Sequence, residues 1–167
     1  VSSSHGAAAA PVGFLRLYNE LTQTIKQGGL RRGANMGVLN CDHPDIESFI
    51  ATKKDTSQIT NFNLSVAVTD GFFKAIEANE QWALKDPRNG KVTKEISARN
   101  LFDEICQAAW QSGEPGLIFI DEVNRRNPTP KKGRIEATNP CGEQPLLPYE
   151  ACNLGSINLN AIFSKDA

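Results

Sequence analysis

Asn139, Cys141 and Glu143 occupy alternate positions of the run Asn139-Pro140-Cys141-Gly142-Glu143, which sets an amide, a thiol and a carboxylate at i, i+2 and i+4. Alternate residues of an extended loop tip face the same way, so the three groups are expected to converge on one site. That combination suits radical or acid/base chemistry on a polar substrate. Cys152 follows 11 positions after Cys141, and the two prolines in the linking stretch predict a turning loop rather than a continuous helix. Proline before Cys141 and glycine after it favour an exposed turn, where a core thiol would pack poorly.

The chain has four cysteines: Cys41, Cys106, Cys141 and Cys152. Cys106 lies beside Ile105 in an apolar helical pattern and is expected in the core as a small hydrophobe. Cys41 stands at a strand end next to Asp42 and His43, where a capping aspartate explains the local wording. No C-x-x-C pair occurs, and His5 and His43 lie far apart, so neither a disulfide scaffold nor a metal site is expected.

These groups need a scaffold, and 167 residues suffice for one domain with a core. A net charge of −1 gives no field that would gather nucleic acid or an anionic membrane. Arg31-Arg32 and Lys131-Lys132 remain local candidates for phosphate contact. No apolar run approaches the roughly 20 residues of a membrane helix, and no secretory signal opens the chain, so a cytoplasmic protein is expected.

Phe14, Leu17, Tyr18, Leu21 and Ile25 recur at helical spacing after Pro11, predicting a helix over about 12 to 27 that ends at Gly28-Gly29. A strand is expected over Ala34 to Asn40, then a helix through Ile46, Phe49 and Ile50 capped by Asp42. Leu64 to Val68 reads as a strand, and Thr69-Asp70 as caps for a helix carrying Phe72, Phe73 and Ile76. Trp82-Ala83-Leu84 and Lys91-Val92-Thr93 read as a hairpin whose turn contains Asn89-Gly90. Ser97 caps a helix that buries Leu101, Ile105 and Ala108 or Ala109 and stops at Gly113. Gly116 to Ile120 reads as a buried strand, and Asn124 to Lys132 as a solvated loop. Alternating strands and helices indicate α/β architecture with largely parallel pairing.

The run Gln27 to Asn35 has two readings. Its glycines and Arg31-Arg32 suit a helix C-terminus, where both offset free carbonyls. They equally suit a flexible loop whose guanidiniums change shape around phosphate or base groups.

Four separated segments carry a further signal: Ile25 to Leu39; His43-Pro44-Asp45-Ile46; Asn61-Phe62-Asn63-Leu64-Ser65-Val66; and Ala137 to Leu159, with Asn139-Pro140-Cys141-Gly142-Glu143 near its start. Together they resemble the large catalytic subunit of ribonucleotide reductase, specifically the adenosylcobalamin-dependent class II enzymes. The resemblance spans almost the whole chain in the expected order. It implies that residues 1–167 form a partial catalytic domain, about half of a ten-stranded α/β barrel, with a catalytic finger loop at about 137–153.

In that family the finger cysteine, here Cys141, becomes a thiyl radical once the cofactor adenosylcobalamin has supplied a hydrogen-abstracting radical. The thiyl takes the ribose 3′ hydrogen, Glu143 accepts the 3′-hydroxyl proton, and Asn139 holds the sugar. Cys152 matches one member of the reducing dithiol, whose partner lies upstream in family members. The loop at about 27–36 matches the link between a deoxynucleoside triphosphate effector and the substrate base, with Gly28 and Gly29 permitting movement, Arg31 or Arg32 contacting nucleotide, and Asn35 at its end. The helix before it resembles the one at the homodimer interface. No residue is assigned to hold the corrin.

The resemblance departs at His5-Gly6-Ala7-Ala8-Ala9-Ala10, where the family is richer in glycine, and in length, since complete members are several times longer. The chain is therefore expected to be an internal piece of such an enzyme or one product of a split gene, partnered by the remainder of the reductase and inactive alone. A class I reductase shares the barrel and finger cysteine and is the nearest alternative. Others are a non-catalytic nucleotide-binding or assembly module of the same fold, and a hydrolase using Cys141 as nucleophile with His43 as base.

Overall fold

In the computed structural model, which describes residues 10–25 and 33–163, the chain runs α1 (Pro11–Thr24), β1 (Asn35–Asn40), α2 (Ile46–Ala51) and a short 3-10 turn (Thr52–Lys54). It continues through β2 (Phe62–Val68), α3 (Asp70–Glu77), β3 (Gln81–Lys85), β4 (Val92–Ser97), α4 (Ala98–Ser112), β5 (Gly116–Phe119) and α5 (Ile120–Arg125). The last elements are β6 (Ala137–Thr138), β7 (Pro145–Leu146) and α6 (Leu159–Phe163).

The central sheet has the order β1-β2-β5 and is parallel throughout. Strand alternation gives β2 two chemically different faces. Phe62, Leu64, Val66 and Val68 join the main core with Phe49 of α2, Phe72 of α3 and Leu101 and Ile105 of α4. Burying each such side chain contributes about 1.5–3 kcal/mol. The opposite face carries Ala67, packed with Ile118 and Ile120, and by alternation Asn63 and Ser65. This second face meets the β6–β7 hairpin: the Asn63 side chain donates to the Pro140 carbonyl. Gly37 of β1 permits close packing of α1, because a Cβ there would lie 2.9 Å from Leu64 Cδ2 and 3.1 Å from Leu15 Cδ2.

Local chemistry explains the element ends. Thr69 Oγ1 accepts from the Phe72 N–H at 3.1 Å and Ser97 Oγ from the Asn100 N–H at 3.2 Å, so both expected caps form. Gly113 ends α4 at φ +81°. The β3–β4 hairpin turns through Asn89-Gly90 as expected, with Gly90 at φ +70°.

Several expectations are corrected. Asp45, not Asp42, occupies the α2 N-cap position, and it makes no side-chain cap bond. α1 ends at Thr24, before the glycines, which lie outside the described residues. Its apolar stripe is open: Phe14, Leu17, Tyr18, Leu21 and Ile25 are 49–63% exposed. Strand β5 stops at Phe119, which is exposed, and Ile120 already begins α5, so a helix runs into the stretch read as a loop from Asn124. Cys106 is exposed rather than in the core, because it lies one position past Ile105 on a helix whose buried side is Ala98, Leu101, Ile105 and Ala108.

The mixed α/β architecture matches the expectation, and the described strands form open sheets without closing a barrel. Among the described residues no helix is long and apolar enough to cross a membrane.

Candidate functional site

The Asn139 to Glu143 motif forms the tip of a short antiparallel hairpin in which Ala137 pairs with Leu146 and Thr138 with Pro145. The tip is a turn rather than an extended segment. Gly142 N–H donates to the Asn139 carbonyl at 3.0 Å, and Asn139 N–H donates to the Gln144 carbonyl at 3.1 Å. Gly142 sits at φ +83° with open space where a Cβ would project, so the backbone conformation alone calls for glycine. Simple alternation therefore does not set the directions of the three functional side chains.

Asn139 is buried, 8% exposed, and its Oδ1 accepts from the Gln144 N–H at 3.0 Å. The amide oxygen thus closes the turn. Its Nδ2 makes no hydrogen bond among the described residues and remains available to a ligand. Cys141 and Glu143 are both exposed at the tip, and Cys141 is a free thiol. The expectation of an exposed turn around Cys141 agrees with this placement.

The hairpin is held at both ends by residues the sequence reading did not select. Asn63 grips the tip through Pro140. Asn124 of α5 bonds the backbone of Ile135, just before β6. Charged groups tie α5 to the start of α3: Arg125 Nη1 meets Asp70 Oδ2 at 2.6 Å, and Asp70 N–H donates to Asp121 Oδ2 at 3.0 Å. Arg134, which leads toward the hairpin, pairs with Asp121 at 3.1 Å. Beside the hairpin base opens a crevice of about 560 Å³ lined by Met36, Val38, Asn40, His43, Arg134 and Ala137. The polar character of Asn63 and Asn124 was visible in sequence; their partners, distant along the chain, were not.

The remaining candidates separate clearly. Cys41 is 1% exposed, and burial pushes its thiol up to about 12, which leaves it inert at neutral pH. Cys152 is exposed in the irregular segment after the hairpin and forms no disulfide with Cys141. His43 Nδ1 accepts from the Asp45 N–H at 3.0 Å, and no hydrogen bond joins it to Cys141 among the described residues, so the hydrolase pairing has no geometric support. Asn35 opens β1 with its Nδ2 donating to Thr22 Oγ1 at 2.8 Å. Gly28, Gly29, Arg31 and Arg32 lie outside the described residues.

The family model for the ribonucleotide reductase barrel domain matches residues 1–167. The chain is 53% identical over 161 residues to a vitamin B12-dependent ribonucleoside-diphosphate reductase of Thermoplasma acidophilum, covering 96% of this chain and 21% of that protein. A Mycobacterium tuberculosis (strain CDC 1551 / Oshkosh) protein of the same description is 55% identical over 160 residues, covering 95% and 23%. A vitamin B12-dependent ribonucleotide reductase of Streptomyces clavuligerus is 37% identical over 188 residues, covering 98% and 20%. The chain thus spans about a fifth of the length of these curated relatives.

Proposed function

The chain belongs to the ribonucleotide reductase barrel-domain family, and from that premise we propose that it carries the radical finger of a vitamin B12-dependent ribonucleoside-diphosphate reductase. The observation that carries this reading is the end-to-end family match on a chain whose motif cysteine stands exposed on a hairpin tip. In this reading residues 1–167 are one partial catalytic domain, about half of a ten-stranded α/β barrel, with its finger at about 137–153. The names of the relatives favour the B12-dependent class over class I and a diphosphate over a triphosphate. A cytoplasmic location follows from the same reading.

Adenosylcobalamin, when bound, supplies a hydrogen-abstracting radical. The geometry fits such an agent, since the Cys141 sulfur is exposed on a turn whose backbone is bonded internally and to Asn63. Cys141, as a thiyl, takes the ribose 3′ hydrogen and returns it after reduction. Glu143 accepts the 3′-hydroxyl proton. Asn139 donates from Nδ2 to a sugar oxygen while its Oδ1 keeps the turn closed.

The C2′–O bond breaks and the hydroxyl leaves as water, while a C2′–H bond forms. The two electrons and two protons come from a dithiol that becomes a disulfide. Cys152 is one of these thiols, and its partner lies in the remainder of the reductase.

We assign to residues 27–34, with Gly28, Gly29, Arg31 and Arg32, the coupling of a deoxynucleoside triphosphate effector to substrate choice; Asn35, expected at the end of that loop, instead opens β1. The open apolar stripe of α1 is the homodimer face, where five large side chains at helical spacing lack cover. The direct test is Cys141→Ser in the complete enzyme supplied with adenosylcobalamin and a dithiol. Deoxynucleotide formation is expected to fall to background with nucleotide binding retained, and continued turnover would reject the assignment.

A further inference from the structure

We propose that Asn124 is a positioning residue for the Cys141 hairpin, holding its entering strand by a side-chain imitation of a β-ladder. The hairpin cannot place itself, because β6 and β7 contribute only two residues each. Isolated two-stranded hairpins are marginal even when longer. Its orientation must be imposed from outside.

Asn124 supplies that constraint at the base. Its Nδ2 donates to the Ile135 carbonyl at 2.9 Å, and its Oδ1 accepts from the Ile135 N–H at 2.9 Å. One planar amide thus satisfies both backbone groups of a single residue, as a paired strand residue would. The second Nδ2 hydrogen goes to the Ile120 carbonyl at 2.8 Å, which fixes the amide plane against its own helix. Serine lacks the reach for both Ile135 bonds, and aspartate would turn an acceptor toward two carbonyls.

Ile135 is 6% exposed and precedes Ala137, the first paired residue of the hairpin, by two positions. The helix bearing Asn124 is itself fixed, by Arg125 to Asp70 and by Asp121 to the start of α3. Asn124 therefore refers the base of the finger to the end of the central sheet, and Asn63 refers the tip to the middle of that sheet. Two separated anchors define the line along which Cys141 is presented.

The catalytic consequence rests on the reading of Cys141 as the radical site; the placement does not. Hydrogen–deuterium exchange by mass spectrometry on the complete protein tests the placement. Asn124→Ala is expected to raise exchange over residues 135–146 by about tenfold, the factor that losing one or two net hydrogen bonds gives. Peptides from β2 and α4 should keep their parental rates. Asn124→Ser, whose shorter side chain cannot make both Ile135 bonds, should also raise exchange over 135–146, by no more than alanine does, and it carries the test if the alanine variant does not fold.

In the complete enzyme Asn124→Ala should lower kcat about tenfold with KM for the nucleotide unchanged. Unaltered exchange at 135–146 in both variants, or an equal rise across β2 and α4, overturns the positioning role. A loosened hairpin with unchanged kcat overturns its catalytic consequence. If Cys141→Ser still turns over while Asn124→Ala loosens the hairpin, the assignment of Cys141 fails and the placement stands.

Discussion

Asn63, on the central sheet, donates from Nδ2 to the carbonyl of Pro140, the residue before the finger cysteine, at 2.5 Å and across 77 positions of sequence. One contact thereby couples the strand that anchors the core to the turn that carries the thiol. Asn63→Ala removes a hydrogen bond worth about 1 kcal/mol, too little to unfold the domain. On the proposed function, deoxynucleotide formation by the complete enzyme is expected to fall about tenfold in kcat at constant KM, with Tm lowered by only about 2–4 °C. Steady-state kinetics beside a thermal melt would expose the opposite pattern, a rise in KM alone.

Gly142→Ala places a Cβ on a residue at φ +83° where no neighbour obstructs it. The cost is therefore conformational, about 1–2 kcal/mol, and confined to the tip. Activity should drop while urea unfolding of the core is unaffected. A fully active variant would mean that the tip reshapes without consequence.

Cys41 gives the domain an alkaline limit. Burial raises its thiol from 9.0 to about 12. Its contribution to stability is whole below pH 9.0 and is lost as pH rises toward 12. Over that window the unfolded chain releases a proton that the folded chain keeps. Cys41→Ala should flatten this decline relative to the parent, read from urea midpoints across the window. Parallel curves for the two proteins would contradict it.

Lys53 and Glu114 replace a missing strand neighbour at the start of β2. Lys53 Nζ donates to the Phe62 carbonyl at 2.6 Å, Glu114 Oε2 accepts from the Leu64 N–H at 3.3 Å, and the two charges lie 3.3 Å apart. β5 begins its pairing only at Ser65, which leaves this edge to the side chains. Glu114→Ala is expected to cost about 1–3 kcal/mol by stranding a lysine that is largely covered. In a double-mutant cycle with Lys53→Met, the combined loss should be smaller than the sum. Additive losses would show that the pair does not act as a unit.

Leu17→Lys puts a charge into the open stripe of α1, where Leu17 is 63% exposed. On the proposal that this stripe is the homodimer face, the complete protein should shift in sedimentation from dimer to monomer with little change in monomer stability. An intact dimer would move the interface elsewhere.

The sequence was most readable where structure is local. Thr69, Ser97 and Asn89-Gly90 act on neighbours within a few residues, and each does what its type suggests. Cys106 was misread by adjacency to Ile105: a step of one residue rotates about 100° around a helix, which carries 106 out of the buried Leu101–Ile105–Ala108 row. α5 escaped notice because its N-cap, Phe119, makes no side-chain bond and only six residues follow. Periodicity identified α1 as a helix, yet nothing in its pattern distinguishes a core stripe from an open one. The candidate site divided similarly. Cys141 stood out by its proline and glycine neighbours, whereas Asn63 and Asn124 serve it through tertiary partners that spacing does not encode.

The side chains that bond directly to the hairpin bearing Cys141 include three neutral amides: Asn63 at the tip, Asn124 at the base and Asn139 within the turn. An amide has no proton to exchange with the buffer, and dissolved salt hardly weakens its bonds. Acidification or added salt should leave these bonds in place and act on the hairpin instead through the ion pairs of Arg125 with Asp70 and Arg134 with Asp121, which hold α5 and the approach to the turn.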